Sequence, residues 1–188
     1  MAIVFITGST RGFGSHLATA FSVEKHTKVI TNGRYSGDFI KDAQYIFKSD
    51  LEKIHPDIII NNAFDDIWCL YSGISQVVFL EQSINYFLDK GGTIINVNSM
   101  AGLNIDVKDP LYSAAKHGLR GYSESVKFDA IKKGIKIIDL YPGAIATGMA
   151  EGREDFDKLI DPKELAEFVV TLCGTKSFVV SSIQFNRV

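Results

Sequence analysis

Tyr112 and Lys116 stand four residues apart, and Ser99 lies thirteen residues before Tyr112, directly after the apolar run from Thr93 to Asn98. Residues four apart on a helix are neighbours on one face. A tyrosine hydroxyl has an ordinary pKa of about 10 and is a poor base near neutrality. An adjacent ammonium favours the phenolate and brings the group toward the range useful for general acid–base catalysis. Ser99 would hydrogen-bond the substrate oxygen while Tyr112 exchanges its proton. A lone Tyr-x-x-x-Lys arises often by chance, so the pair gains its meaning from what surrounds it.

The N-terminal segment Thr7-Gly8-Ser9-Thr10-Arg11-Gly12-Phe13-Gly14 follows the apolar run Ile3 to Thr7 and precedes a stretch that can continue as a helix. Glycines there permit a tight turn and close approach of the backbone to a pyrophosphate, and a helix N-terminus offers free N–H groups with a favourable dipole. The spacing is Gly-x-x-x-Gly-x-Gly, which differs from the commonest dinucleotide fingerprint. The second strand runs into Gly33 and Arg34, where an NAD site usually carries an acidic residue and where an arginine accommodates a 2′-phosphate. Arg11 can add a second guanidinium to the same phosphate. The expected cofactor is therefore NADP(H).

These groups need a scaffold that brings strand ends together. Short apolar runs recur at Ile3 to Thr7, Lys28 to Thr31, Asp57 to Asn61, Thr93 to Asn98, Lys136 to Tyr141 and Phe178 to Ser182. Continuous rather than alternating runs suit strands covered on both faces. Between several of them lie amphipathic segments, Ser15 to Ser22, Ile74 to Leu88, Tyr112 to Lys133 and Pro162 to Leu172; Asp161 serves as N-cap of the last and Pro162 as its first residue. This alternation predicts an α/β fold: a Rossmann-like, doubly wound parallel sheet with helices on both faces, a three-layer sandwich. The ligand is then expected in the crevice at the carboxyl ends of the strands. No linker or repeat interrupts the pattern, so residues 1–188 are expected to form one nucleotide-binding domain that includes the catalytic site.

Composition narrows the function classes. With 20 Lys and Arg against 22 Asp and Glu, a net charge of -2 gives no electrostatic case for nucleic acid or an acidic membrane surface. No apolar stretch has the length of a bilayer span or the organisation of a signal sequence, so a cytoplasmic location is expected. Cys69 and Cys173 lie far apart and outside any metal-binding spacing, and His16, His26, His55 and His117 show no such spacing either, so no metal is expected. The absence of Gly-x-Ser-x-Gly leaves a serine hydrolase without its nucleophile signature.

Taken in order, Thr7-Gly-x-x-x-Gly-x-Gly14, Asp50-Leu51, Asn61-Asn62-Ala63, Ser99, Tyr112-x-x-x-Lys116 and Pro142-Gly143-x-Ile145-x-Thr147 resemble the short-chain dehydrogenase/reductase family, of which this would be a short member. The resemblance implies catalysis by Ser99, Tyr112 and Lys116 on a small carbonyl or alcohol substrate. It implies a cofactor held by Gly8, Thr10, Arg11, Gly12, Phe13, Gly14, Arg34, Asp50, Leu51, Asn62, Ala63, Tyr112, Lys116, Pro142, Gly143, Ile145 and Thr147. Within that set, Asp50 and Leu51 would meet the adenine, and Asn62 and Ala63 the adenosine side. Thr10, Arg11 and Arg34 would surround the 2′-phosphate, and Lys116 would also bind the nicotinamide ribose. Pro142, Gly143, Ile145 and Thr147 would hold the nicotinamide. By the same analogy the chain would form a homodimer or homotetramer.

Two positions depart from the pattern. The family usually places an asparagine in the helix before the serine strand, where it helps complete a proton relay, and the corresponding site falls near Ser72 or Gly73. The glycine that normally follows Asn-Asn-Ala is Phe64. Phe64, Trp68 and Tyr71 have two readings, as a substrate wall or as local packing. The segment between Thr147 and Pro162, which in relatives commonly carries a longer lid, is brief and charged and predicts an open cleft. The departures motivate an alternative, a nucleotide-binding sensor or scaffold with little catalysis.

Overall fold

The computed structural model describes residues 1–32, 51–64, 69–105, 108–175 and 177–187. Six strands form one sheet: β1 (Ala2–Thr7), β2 (Thr27–Asn32), β3 (Ile58–Asn61), β4 (Gly92–Val97), β5 (Ile135–Pro142) and β6 (Ser182–Phe185). Every pairing is parallel and the order is β2-β1-β3-β4-β5-β6. Helices α1 (Gly12–Ser22), α2 (Cys69–Phe87), α3 (Pro110–Lys132) and α4 (Pro162–Cys173) accompany them. This is the Rossmann-like, doubly wound architecture expected from the sequence. Strand order reverses at β1, so a crevice opens between the carboxyl ends of β1 and β3, where open α/β sheets bind ligands.

The continuous apolar runs are explained by two cores, one on each face of the sheet. Val4, Ile6, Ile60, Ile95, Ile138 and Leu140 pack with α1 and α4, whereas Phe5, Ile59, Ile94 and Ile137 pack with α2 and α3. Neighbouring residues of one strand point to opposite faces, so both must be apolar. Among the described residues, no helix is long and apolar enough to cross a membrane.

Near the carboxyl edge the α2/α3 face changes character. Ile59, Ile94 and Ile137 are register partners across three strands, and so, two residues further on, are Asn61, Asn96 and Asp139. The second row is buried and hydrogen-bonded throughout. Asn61 Nδ2 donates to Asn96 Oδ1 (3.0 Å), and Asn96 Nδ2 donates to Asp139 Oδ1 (2.8 Å). Ser123 Oγ and Lys127 Nζ of α3 supply Asp139 with further donors at 2.9 and 2.6 Å.

One expected strand lies elsewhere. The run from Phe178 to Ser182 is not β6, which occupies Ser182–Phe185 and pairs with Asp139 to Pro142 of β5. Phe178 is 60% exposed, whereas Ile183 and Phe185 pack against the α1/α4 core. Ile183 and Phe185, two residues apart, set the register of β6 on that core; in the segment before it Val180 packs on the same core while Phe178 does not. Helices α2 and α3 also begin earlier than expected, at Cys69 and Pro110.

Candidate active site

The glycine loop is pinned to the end of β3. Thr7 Oγ1 accepts hydrogen bonds from the backbone N–H groups of Asn62 and Ala63, both at 3.0 Å. Asn62 Nδ2 donates to the carbonyls of Thr7 (3.0 Å) and Gly8 (3.1 Å). Gly8 has φ +64°, and a Cβ there would lie 2.6 Å from the Ala63 Cα; at Gly14 a Cβ would stand 2.2 Å from the Gly8 carbonyl oxygen. Only glycine fits either place. Helix α1 then starts at Gly12, with Arg11 as an N-cap whose side chain makes no capping bond and with no acidic residue in the first turn. Its opening N–H groups receive no side-chain cap from Arg11. A dinucleotide phosphate is the kind of group this cradle fits, by backbone proximity and by dipole.

The other strand ends converge on the same edge. The Cβ of Thr147 is the nearest atom, at 3.9 Å, to the place a side chain would take at Gly12, so the loops after β1 and β5 face each other. Ser99 follows β4 as the N-cap of a 3-10 turn, Met100–Gly102, with its Oγ accepting from Ala101 N–H at 3.2 Å. That turn is fastened to α3 by Ser113 Oγ donating to the Ala101 carbonyl (3.1 Å) and Asn98 Nδ2 donating to the Lys116 carbonyl (3.2 Å). Asp109 caps α3 by accepting from Tyr112 N–H at 2.9 Å, and Pro110 occupies the first turn. Tyr112 and Lys116 thus sit on adjacent turns, with Tyr112 partly exposed and Lys116 only 2% exposed.

Lys116 is the most perturbed group of the edge. Its Nζ donates to Gln76 Oε1 at 3.0 Å and to the Val97 carbonyl at 3.2 Å. The same nitrogen lies 4.2 Å from the ring centroid of Phe64 and 5.7 Å from that of Tyr112. Phe64 and Tyr112 meet edge to face, with centroids 5.2 Å apart. Burial pushes the amine down to about 7, opposed in part by the nearby Cys69. Phe64, where the resemblance expects glycine, therefore packs directly on both Tyr112 and Lys116.

A model of the short chain dehydrogenase family matches residues 74–158, the span that holds Ser99, Tyr112 and Lys116. Together with the relatives that follow, this match over less than half of the chain supports a member of the short-chain dehydrogenase/reductase family. It is 28% identical to carbonyl reductase family member 4 of Xenopus tropicalis, across 85% of this chain and 72% of that one. It is 24% identical to the 3-oxoacyl-[acyl-carrier-protein] reductase FabG of Vibrio harveyi, across 95% and 92%. The crystal structure of a 3-ketoacyl-(acyl-carrier-protein) reductase from Brucella melitensis complexed with NADH superposes with a TM-score of 0.80 at 19% identity, covering 99% of this chain and 96% of that one. The architecture is thus that of a short-chain dehydrogenase/reductase.

Several positions named from the sequence can now be placed in this family's fold. Gly8 to Gly14, Asn62, Ala63 and the segment Pro142 to Thr147 border the crevice, with Pro142 closing β5 and Gly143 N–H donating to the Phe185 carbonyl at 2.9 Å. Leu51 is buried in the α2/α3 core, so only its backbone is left for a ligand. Gly33, Arg34, Asp50 and Trp68 lie outside the described residues. Sequence reasoning missed Gln76: the contact to Lys116 from α2 comes one helical turn beyond Ser72. The signal was a polar residue recurring on the buried face of that helix, where Ser72, Ser75, Gln76 and Ser83 accompany Phe79 and Leu80.

The segment after Thr147 is short and carries two 3-10 turns, Gly148–Ala150 and Phe156–Lys158. A pocket of about 470 Å³ is lined by Ala146, Thr147, Gly148, Glu151, Gly152 and Phe156. The two ends of the segment are stitched by Ala146 N–H to the Ile160 carbonyl (2.9 Å) and Ile160 N–H to the Ala144 carbonyl (3.0 Å). Arg153 and Arg187 bind Asp155 and hold its carboxyl well below the usual carboxylate range.

Proposed function

We propose that the chain, working as one nucleotide-binding domain, interconverts a small carbonyl compound and its alcohol with NADP(H). The observation that carries this reading is Lys116. A fully buried amine, held by two carbonyl oxygens one turn from Tyr112 at the cradle edge of the sheet, is the kind of costly, perturbed group that clusters at functional sites. The dinucleotide supplies the hydride. Tyr112 gives its hydroxyl proton to the carbonyl oxygen in reduction and takes it back in oxidation. Lys116, when charged, favours the phenolate by proximity and presents an N–H to the nicotinamide ribose. Ser99 donates a hydrogen bond to the same substrate oxygen. Thr10 and Arg11 are exposed at the loop and, with Arg34, would meet a 2′-phosphate; Asp50 and the Leu51 backbone would meet the adenine. The reductase names of its relatives support a carbonyl substrate, with 3-oxoacyl thioesters the first class to assay.

Replacing Tyr112 with Phe removes the hydroxyl at almost constant volume. Turnover should fall by about two to four orders of magnitude, while fluorescence titration shows NADPH bound as in the wild type and more tightly than NADH. Retained turnover would remove the role of Tyr112. Equal affinity for the two cofactors would remove the phosphate assignment. Tight binding of NADPH without hydride transfer to any of a broad carbonyl panel would favour a sensor or scaffold.

A further inference from the structure

Gln76 is buried on α2 and makes one polar contact that no packing argument requires: its amide oxygen accepts from Lys116 Nζ at 3.0 Å. The amide cannot be turned around. Its Nε2 faces the Asn61 carbonyl at 3.5 Å, and a flipped amide would set N–H groups against both the lysine donors and empty the carbonyl of its partner. Asn61 also grips the helix itself, donating from Nδ2 to the Gln76 backbone carbonyl at 2.8 Å. Asn61 is in turn fixed by Asn96, and Asn96 by Asp139. The position of the Gln76 oxygen is therefore set by a buried row of side chains spanning three strands.

We infer that Gln76 is the positioning residue for Lys116, fixing where its charge and its remaining donor point. An ammonium has three N–H groups. The Gln76 oxygen and the Val97 carbonyl take two, which leaves the third, with the Phe64 and Tyr112 rings centred 4.2 and 5.7 Å from the nitrogen. The amide oxygen accepts a hydrogen bond and carries no proton to pass on. Gln76 therefore stabilises the charged amine in place and does not relay protons away from Tyr112. This inference rests on the role proposed above for Lys116.

The test reads Lys116 directly, in protein without cofactor. In protein carrying 13C- and 15N-labelled lysine, the Lys116 side-chain signal is assigned by its loss in a Lys116→Met variant and followed by NMR from pH 5 to 10. The titratable groups that face this amine among the described residues are Tyr112 on its own helix and Cys69 at the start of α2. With Gln76→Met, which keeps the volume and removes the acceptor, the midpoint should fall by about one unit. With Gln76→Glu, which keeps the acceptor and adds a negative charge, it should rise by at least about one unit. The pH profile of NADPH-dependent reduction of an acetoacetyl thioester should move in both variants, and turnover by the Met variant should drop about tenfold. Midpoints and profiles equal to those of the wild type, with or without a loss of thermal stability, would overturn the inference. Should the Met variant not fold, the Glu variant decides alone by the same criterion. Failure of the broader reading is separately visible, because it appears as turnover retained in Tyr112→Phe and leaves the NMR midpoints untouched.

Discussion

Burying an amine without a counter-ion costs free energy, and Lys116 shows where that cost falls. Its folded-state value of about 7 lies below the ordinary 10.5. Between those values the unfolded chain holds a proton that the folded chain has lost, so stability rises with pH across that window. Below about pH 7 both states are protonated and the whole penalty remains. At about 1.4 kcal/mol per unit the penalty is at most roughly 5 kcal/mol. Lys116→Met should therefore melt several degrees higher than the wild type at pH 6, with the advantage shrinking toward pH 10. A Met variant less stable at pH 6 by a pH-independent amount would contradict this. At the residue scale the sequence made the pairing of Tyr112 with Lys116 legible because four-residue spacing survives folding as proximity. Gln76 was not legible, since its partner is forty residues away and only the packing of α2 on α3 brings them together.

That packing depends on a single missing side chain. At Gly73 a Cβ would lie 2.6 Å from the Ala115 Cβ and 2.9 Å from its Cα, immediately beside Lys116. Gly73→Val must push α2 away from α3. Such overpacking typically costs about 1–3 kcal/mol, and the same displacement opens the Gln76–Lys116 contact. Urea denaturation should show the loss, and turnover should fall further than the fraction of unfolded protein explains; a midpoint equal to the wild type would contradict the tight crossing. Helix starts were the less readable part of these elements. The Asp109-Pro110 pair is the same cap and first residue as Asp161-Pro162, yet the apolar periodicity of α3 becomes clear only at Tyr112. Helix α2 begins five residues before its apolar stripe because its buried face opens with Cys69, Ser72 and Gly73, residues chosen for close approach rather than hydrophobicity.

Across the molecule, two-sided burial explains why the four inner strands, β1, β3, β4 and β5, could be placed from apolar runs alone; of the two edge strands, β2 shows its run at Val29 and Ile30 and β6 does not stand out. β6 has a neighbour on one side only among the described residues and alternates exposed with half-buried positions, which weakens its signal against the Phe178 run. The row Asn61, Asn96, Asp139 is a whole-sheet feature in the same sense. Each residue is an ordinary polar strand end in sequence, and only the register of three parallel strands joins them into a support for the catalytic edge. The central claim is that this edge carries out hydride transfer. It is tested most directly by incubating the protein with an acetoacetyl thioester and NADPH bearing deuterium at the transferable C4 position, then locating the label by mass spectrometry. The wild type should place one deuterium on the carbinol carbon per NADPH oxidised, and Tyr112→Phe should bind the same NADPH with transfer slowed at least about a hundredfold. Label transfer at the wild-type rate in Tyr112→Phe would contradict the account, as would bound NADPH that passes no deuterium to this or any other carbonyl of a broad panel.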